Sequence, residues 1–220
     1  MTNKPLALSG IALVALFLIL VSSLSVWFGG AAAWSDAGSL RGRWLVSQWR
    51  EGSGPVYSPA LWRQTRYELQ AALRETPGNG ELMDDLGYMN AARAMGLGSP
   101  DRGTVEYLLQ QKLLADAIGY YRAATLARPT FPYSWAYLAL AKHLKGEVDE
   151  ELWRAFDKAV RYGHNEAGVQ PAIAQVAFGH WAELSAQRKG QMSAMLAAAR
   201  PVPKKVLQDL AGAAGVALPE

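Results

Sequence analysis

Three histidines, His143, His164 and His180, and two knots of acidic residues are where this chain concentrates groups able to move protons or hold a metal. No two histidines stand at i and i+4, no H-E-x-x-H is present, and with no cysteine there is no Cys/His cluster. His180 falls on the same helical face as Ile173, Val176 and Leu184, which predicts a core or boundary histidine; His164 follows Gly163 and is expected to cap a helix or meet solvent. Glu81, Asp84 and Asp85 begin one predicted helix, and Glu147, Asp149, Glu150 and Glu151 begin another. Carboxylates go to such places because they offset the positive end of the helix dipole. The nucleophile-elbow, phosphate-loop and haem-attachment patterns are all missing, and Gly87, Gly96 and Gly98 are too scattered to cradle a phosphate. The expectation is a chain without catalytic residues, metal ligands or a cofactor.

The elements that must position these side chains all carry helical period, which predicts an all-α fold. Residues 35 to 50 read as a short helix, and Glu51-Gly52-Ser53-Gly54-Pro55 as a linker. Ser58-Pro59 is an N-cap followed by proline at the first helical position; Leu61, Thr65, Leu69 and Ala72 then share a face until Thr76-Pro77-Gly78-Asn79 stops it. Further helices are predicted from about Glu81 to Met95, from a Thr104 cap to Arg128, over 133 to 145 ending at Gly146, and over 149 to 162. Gly163 reads as the left-handed residue after the last of these. One helix over about 167 to 187 carries Val169, Ile173, Val176, Trp181 and Leu184, another contains Met192, Met195 and Leu196, and a short one with Val206, Leu207 and Leu210 follows Pro201 and Pro203.

One stretch has a more specific phase. Ala117, Tyr121, Ala124 and Pro129 stand four, three and five residues apart, and Trp135 and Leu138 follow six and nine residues after the proline. Small residues let two helices approach, Tyr121 fills the groove between them, and Pro129 ends the helix before Trp135 restarts a core face. This spacing resembles the tetratricopeptide repeat, a 34-residue helix-turn-helix unit that stacks on its neighbours and binds partners. Leu86-Gly87 matches an earlier first helix, with Asn90 in place of an aromatic residue and about 18 extra residues before the second-helix signature. Trp135, Leu138, Ala139 and Gly146 match the next unit, where Lys142 departs; Phe156 and Ala159 match after a one-residue shift. The resemblance implies a concave face of first-helix positions and places Asp84, Tyr88, Tyr133, Leu140 and His143 on it. An aromatic pair with one acid and one histidine suits an extended peptide or the stacking of sugar rings.

The N-terminus sets the location. No charged residue occurs from Pro5 to Ser35, and Leu6 to Phe28 is dominated by Leu, Ala, Val, Ile and Phe. A helix over residues 5–28 spans roughly 36 Å, enough for a hydrocarbon core of about 30 Å. A cleaved signal peptide is the rival, with Ala31-Ala32-Ala33 offering small residues to a peptidase, but the apolar run exceeds a signal h-region and favours an uncleaved anchor. Trp27, Phe28 and Trp34 would then lie at the boundary with water. Counting Lys4 and the amino group against Arg41, Arg43 and Arg50 puts the large domain in the cytoplasm; a short tail ahead of an apolar segment puts it outside, which is the orientation expected here.

The domain limits that follow are 1–34 for tail and anchor, 35–58 for a membrane-proximal helix and linker, and 59–220 for the helical repeat domain, roughly 185 residues beyond the anchor. A net charge of +3 and a pI near 9.1, with both signs interleaved and no run of four basic residues, exclude a nucleic-acid stripe.

A narrower resemblance lies in Gly119-Tyr-Tyr-Arg-Ala-Ala124 and the Arg128-Pro-Thr-Phe-Pro-Tyr-Ser-Trp-Ala136 string leading into Leu138-Ala139. Behind a single membrane segment, these resemble accessory proteins of bacterial exopolysaccharide clusters, the VpsP type; a similar string occurs in the repeat tails of O-antigen ligase-like membrane proteins. The resemblance implies an inner-membrane, single-pass protein with a periplasmic C-terminal domain, acting as a non-catalytic adaptor with protein partners in envelope polysaccharide assembly or export, and with possible contact to glycan. A general adaptor of a secretion or envelope complex is the alternative. A helical glycan-processing enzyme stands behind both, since it needs a carboxylic acid of raised pKa in a cleft and the Glu-Ser pair typical of lytic transglycosylases is absent.

Overall fold

The computed structural model describes residues 5–55, 57–199 and 201–217. Among them are nine α-helices and no strand. Lys4 and the amino group, which entered the charge count at the membrane, lie outside the described residues. The chain divides into two compact units, Met1–Pro77 and Gly78–Glu220. The 59–220 span expected for the repeat domain straddles that division.

The first unit is a helix pair, α1 (Pro5–Glu51) and α2 (Pro59–Glu75). The expected anchor and membrane-proximal helix are therefore one uninterrupted helix. Between Pro5 and Pro55 there is no proline, and each glycine, the Gly29-Gly30 pair included, costs a helix only about 1 kcal/mol, so α1 continues until Gly52 turns left-handed at φ 69°. Among the described residues one span, Ala12–Glu51, is long and apolar enough to cross a membrane, and its most apolar stretch has no residue buried by protein. Trp27, Phe28 and Trp34 are 76%, 67% and 77% exposed.

Beyond Trp34 the helix changes partner. Ser35, Ser39, Gly42 and Val46 recur at i, i+4, i+7 and i+11, and this stripe is buried against Trp62, Thr65, Leu69 and Ala72 of α2. Ser35 Oγ donates to the Ala72 carbonyl at 3.0 Å and meets Thr76 Oγ1 at 2.9 Å, while Arg41 pairs with Glu68 at 2.7 Å. Ser58 caps α2 as expected, accepting from the Leu61 amide at 3.1 Å.

The second unit contains α3 (Gly80–Met95), α4 (Val105–Ala127), α5 (Pro132–Lys145), α6 (Glu150–Gly163), α7 (Val169–Gly179), α8 (Ala186–Ala198) and α9 (Pro201–Ala213). Each helix from α3 to α7 packs on the next in sequence, α5 also packs on α7, and α9 returns to α7. Local chemistry sets the starts: Asn79, Thr104, Asp149 and Ser185 each accept a hydrogen bond from a first-turn amide. Gly146 ends α5 in the left-handed region at φ 80°, satisfying the Lys142 and His143 carbonyls. The core gathers Ala117, Tyr121, Leu138, Ala139, Leu152, Phe156, Ala159, Ile173 and Val176, all at most 1% exposed. The extra residues after α3 form the Gly96–Thr104 connection and the first turns of α4; Gln110 ties them together by donating to the carbonyls of Ala94 and Gly98.

Two expectations need correction. Gly163 is not left-handed: it is the last residue of α6, and His164 after it has φ −58°. Glycine is required there because a Cβ would stand 2.5 Å from the Pro132 Cβ. The helix expected over 167 to 187 is two elements. α7 stops at Gly179, where the His143 ring occupies the place of a side chain, and a turn through His180, Trp181 and Leu184 leads to the Ser185 cap of α8.

Candidate functional site

Five residues were expected to share a concave face, and the structure gives them three settings. Asp84 on α3 is 6% exposed and faces the first turn of α5: it accepts from Ser134 Oγ at 2.9 Å and pairs with the Arg128 guanidinium. Arg128 also donates to the Gly80 carbonyl and lies over the Phe131 ring with its Cζ 3.9 Å from the centroid. Asp84 is thus tied into the joint between α3, α4 and α5. Tyr88 is half-buried one turn further along α3.

Tyr133, beside Ser134, belongs to a row of rings: Phe131 at 5.3 Å, Tyr137 at 6.4 Å, and Tyr121 stacked on Tyr137 at 5.8 Å. Its hydroxyl donates to Glu166 Oε2 at 3.1 Å. Burial first, then the Glu166 carboxylate, pushes the Tyr133 pKa above the usual phenol value, so the group stays a neutral donor. Leu140 is partly buried along the edge of the core. His143 is ten residues and therefore about 15 Å along α5 from Tyr133.

His143 Nδ1 and His180 Nε2 are 3.0 Å apart with the rings edge to face, so one nitrogen of the pair donates and the other accepts. Burial, and then the proximity of His180, lowers the His143 pKa. Trp153 of α6 abuts His180 at 5.8 Å and Phe156 at 6.0 Å, and Arg188 of α8 lies over it with Cζ 4.8 Å from the ring centroid. Arg188 in turn grips Asp157 with two hydrogen bonds of 2.9 Å. Trp153 thereby joins the histidine pair to an open cleft of about 510 Å³ lined by Glu150, Trp153, Arg154, Asp157, Lys158, Arg161 and Arg188.

No family model, curated protein or solved structure matches the chain. Among the described residues no group of three or more His, Cys, Asp or Glu is placed to hold a metal ion.

The most heavily charged cluster surrounds Lys142, which the repeat pattern marked only as a departure. Its side chain is 2% exposed, and Nζ donates to Glu151 at 2.8 Å, Asp149 at 2.9 Å and Glu147 at 3.3 Å. Arg122 of α4 holds Glu151 from the other side with bonds of 2.6 and 2.8 Å, and Lys145 pairs with Glu147. Arg122 and, after the opposing effect of burial, Lys142 hold the Glu151 pKa down to about 2. Burial works against the charge on Lys142, yet the bonds to Glu151 and Asp149 outweigh it and keep its pKa above the usual lysine value. Three cations thus meet three carboxylates, and the cluster clamps α4, α5 and the start of α6. The signal was present in sequence as a lysine at a core position followed by acids five, seven and nine residues later.

Proposed function

We propose that this chain is a membrane-anchored, non-catalytic adaptor in the assembly or export of envelope exopolysaccharide, with residues 5–28 spanning the inner membrane and the C-terminal domain in the periplasm. The observation that carries the adaptor reading is the seating of Tyr121 against Gly87, where a Cβ on the glycine would come within 2.7 Å of the ring. That contact joins the first-helix glycine to the second-helix tyrosine of the tetratricopeptide phase. The packing order, in which each helix meets the next and α5 also meets α7, supports a short repeat stack. The exposed apolar length of α1 supports the anchor. The acids nearest the expected groove or heading α6, Asp84, Glu147, Asp149 and Glu151, are engaged by cations, which suits structure better than proton transfer. The polysaccharide setting rests on the resemblance of the Arg128–Ala136 string.

The test uses the full chain in a producing bacterium. A Tyr88→Ala, Tyr133→Ala double variant that retains its helical circular dichroism is expected to lower polysaccharide output and lose crosslinks to partner proteins. Unchanged output with unchanged crosslinks removes the groove reading. A phosphatase fused after residue 220 is active only if the C-terminal end is periplasmic.

A further inference from the structure

We propose that the cleft between α6 and α8 is a docking site for an acidic polypeptide segment of a partner protein. The proposal deepens the adaptor reading and rests on it, while using a surface distinct from the Asp84–Tyr133 joint.

Glu150, Arg154, Asp157, Lys158 and Arg161 recur at i, i+4, i+7, i+8 and i+11, which puts them on one face of α6 within an arc of about 100°. Arg188 reaches the same cleft from α8 and is satisfied by Asp157. That leaves Arg154, Lys158 and Arg161 against the single carboxylate of Glu150. Arg154 and Arg161 are exposed; Arg154 makes no ion pair among the described residues, and Lys158 and Arg161 have only the Tyr162 ring, each 5.6 Å from its centroid. The three cations extend over about 10 Å of helix, with Arg154 and Lys158 about 6 Å apart. A single anion cannot span them. Alternate side chains of an extended polypeptide repeat at about 6.6 Å, and successive turns of a helical one at about 5.4 Å, so two or three carboxylates on either can meet them in register.

Two other classes of ligand fit this cleft less well. Sugar recognition of this kind uses a bare aromatic face, but Trp153 has Arg188 over its ring and Phe156 and His180 against it. An anionic membrane is flat, whereas these cations line a recess. Charge pairing along an open cleft with a fixed spacing of cations suits a peptide chain.

The experiment uses the full chain in nanodiscs of zwitterionic lipid and a fluorescein-labelled ten-residue polyglutamate peptide, read by fluorescence anisotropy. Binding is expected to weaken at least tenfold in Arg154→Glu, Lys158→Glu, Arg161→Glu, and to weaken as salt rises. The glutamine triple variant at the same positions, whose charges are removed without reversal, is expected to lose most of the binding even if the glutamate variant is unstable. Arg102→Glu with Lys112→Glu, away from the cleft, is expected to bind like wild type. Absence of peptide binding, triple variants within twofold of wild type, or tighter binding of an oligogalacturonate of equal charge or of anionic vesicles overturns the proposal. Polysaccharide output is not read here, so the cleft and the adaptor reading can fail separately.

Discussion

Gly87→Ala and Gly119→Ala make the same chemical change at two helix-interior positions and are expected to act with opposite sign. An unhindered alanine stabilises a helix by about 0.8–1 kcal/mol over glycine. Gly119 on α4 is exposed and has nothing within 4 Å of a built Cβ, so its substitution is expected to stabilise by about that much. At Gly87 the Cβ would stand 2.7, 2.8 and 2.9 Å from Cε1, Cδ1 and Cζ of Tyr121. That ring cannot swing away cheaply, because it is 1% exposed and stacked on Tyr137. Overpacking of this kind costs about 1–3 kcal/mol, and α3 must shift off α4 to relieve it. Since the overpacking exceeds the propensity gain for most of that range, net destabilisation of up to about 2 kcal/mol is expected. For a unit of this size that is a fall in melting temperature of several degrees, against a rise of a few degrees for Gly119→Ala. Thermal and urea unfolding of the full chain in detergent, followed at 222 nm, measures both. A Gly87→Ala protein that melts at or above the wild-type temperature refutes the Tyr121 seat and, with it, the repeat contact drawn from the sequence.

Two further outcomes follow from the charged groups. His143 is held below its ordinary pKa in the fold, so the unfolded chain takes up its proton first: the stability it contributes is complete above pH about 6.5 and declines as pH falls toward the folded value. His143→Phe is expected to flatten that part of the stability curve between pH 7 and 5, and an unaltered slope would mean that other groups carry it. Lys142→Met is expected to cost about 1–2 kcal/mol at pH 7, short of the 3–5 for a fully buried pair because Glu147 and Asp149 are 38% and 52% exposed and can rehydrate. The deficit is expected to shrink below pH 4, where the unfolded carboxylates protonate while Glu151 holds out to about 2; a deficit constant from pH 7 to 2 would place the cost in packing instead.

The elements were legible wherever the signal is local. Ser58, Thr104, Asp149 and Gly146 act within a turn of their own positions, and each does what its residue type predicts. Ala117, Tyr121 and Ala124 were legible as an inward face because period alone sets it. What failed was long-range. His143 and His180 are 37 residues apart, and the periodicity that carries Val169, Ile173 and Val176 into Trp181 and Leu184 hides the end of α7 at Gly179, which only the arriving imidazole explains. Asp84 shows the same: it looked available until Arg128 and Ser134, 44 and 50 residues later, closed on it.

The Arg128–Ala136 string, on which the proposed polysaccharide setting rests, is heavily engaged in building the fold. Arg128 holds Asp84 and covers Phe131, Pro132 sits on Gly163, the Tyr133 ring sits on Gly168 and its hydroxyl on Glu166, and the Trp135 indole donates to the Pro129 carbonyl at 2.8 Å. Residues so committed can be shared by proteins with the same helix stack and different partners. In the proposed docking reading, specificity comes from side chains the fold keeps out of its core, and on the cleft face of α6 those include Arg154, Lys158 and Arg161, which make no ion pair among the described residues and outnumber the single carboxylate of Glu150. A protein that kept the string but reversed these three charges would be expected to fold the same way and bind something else.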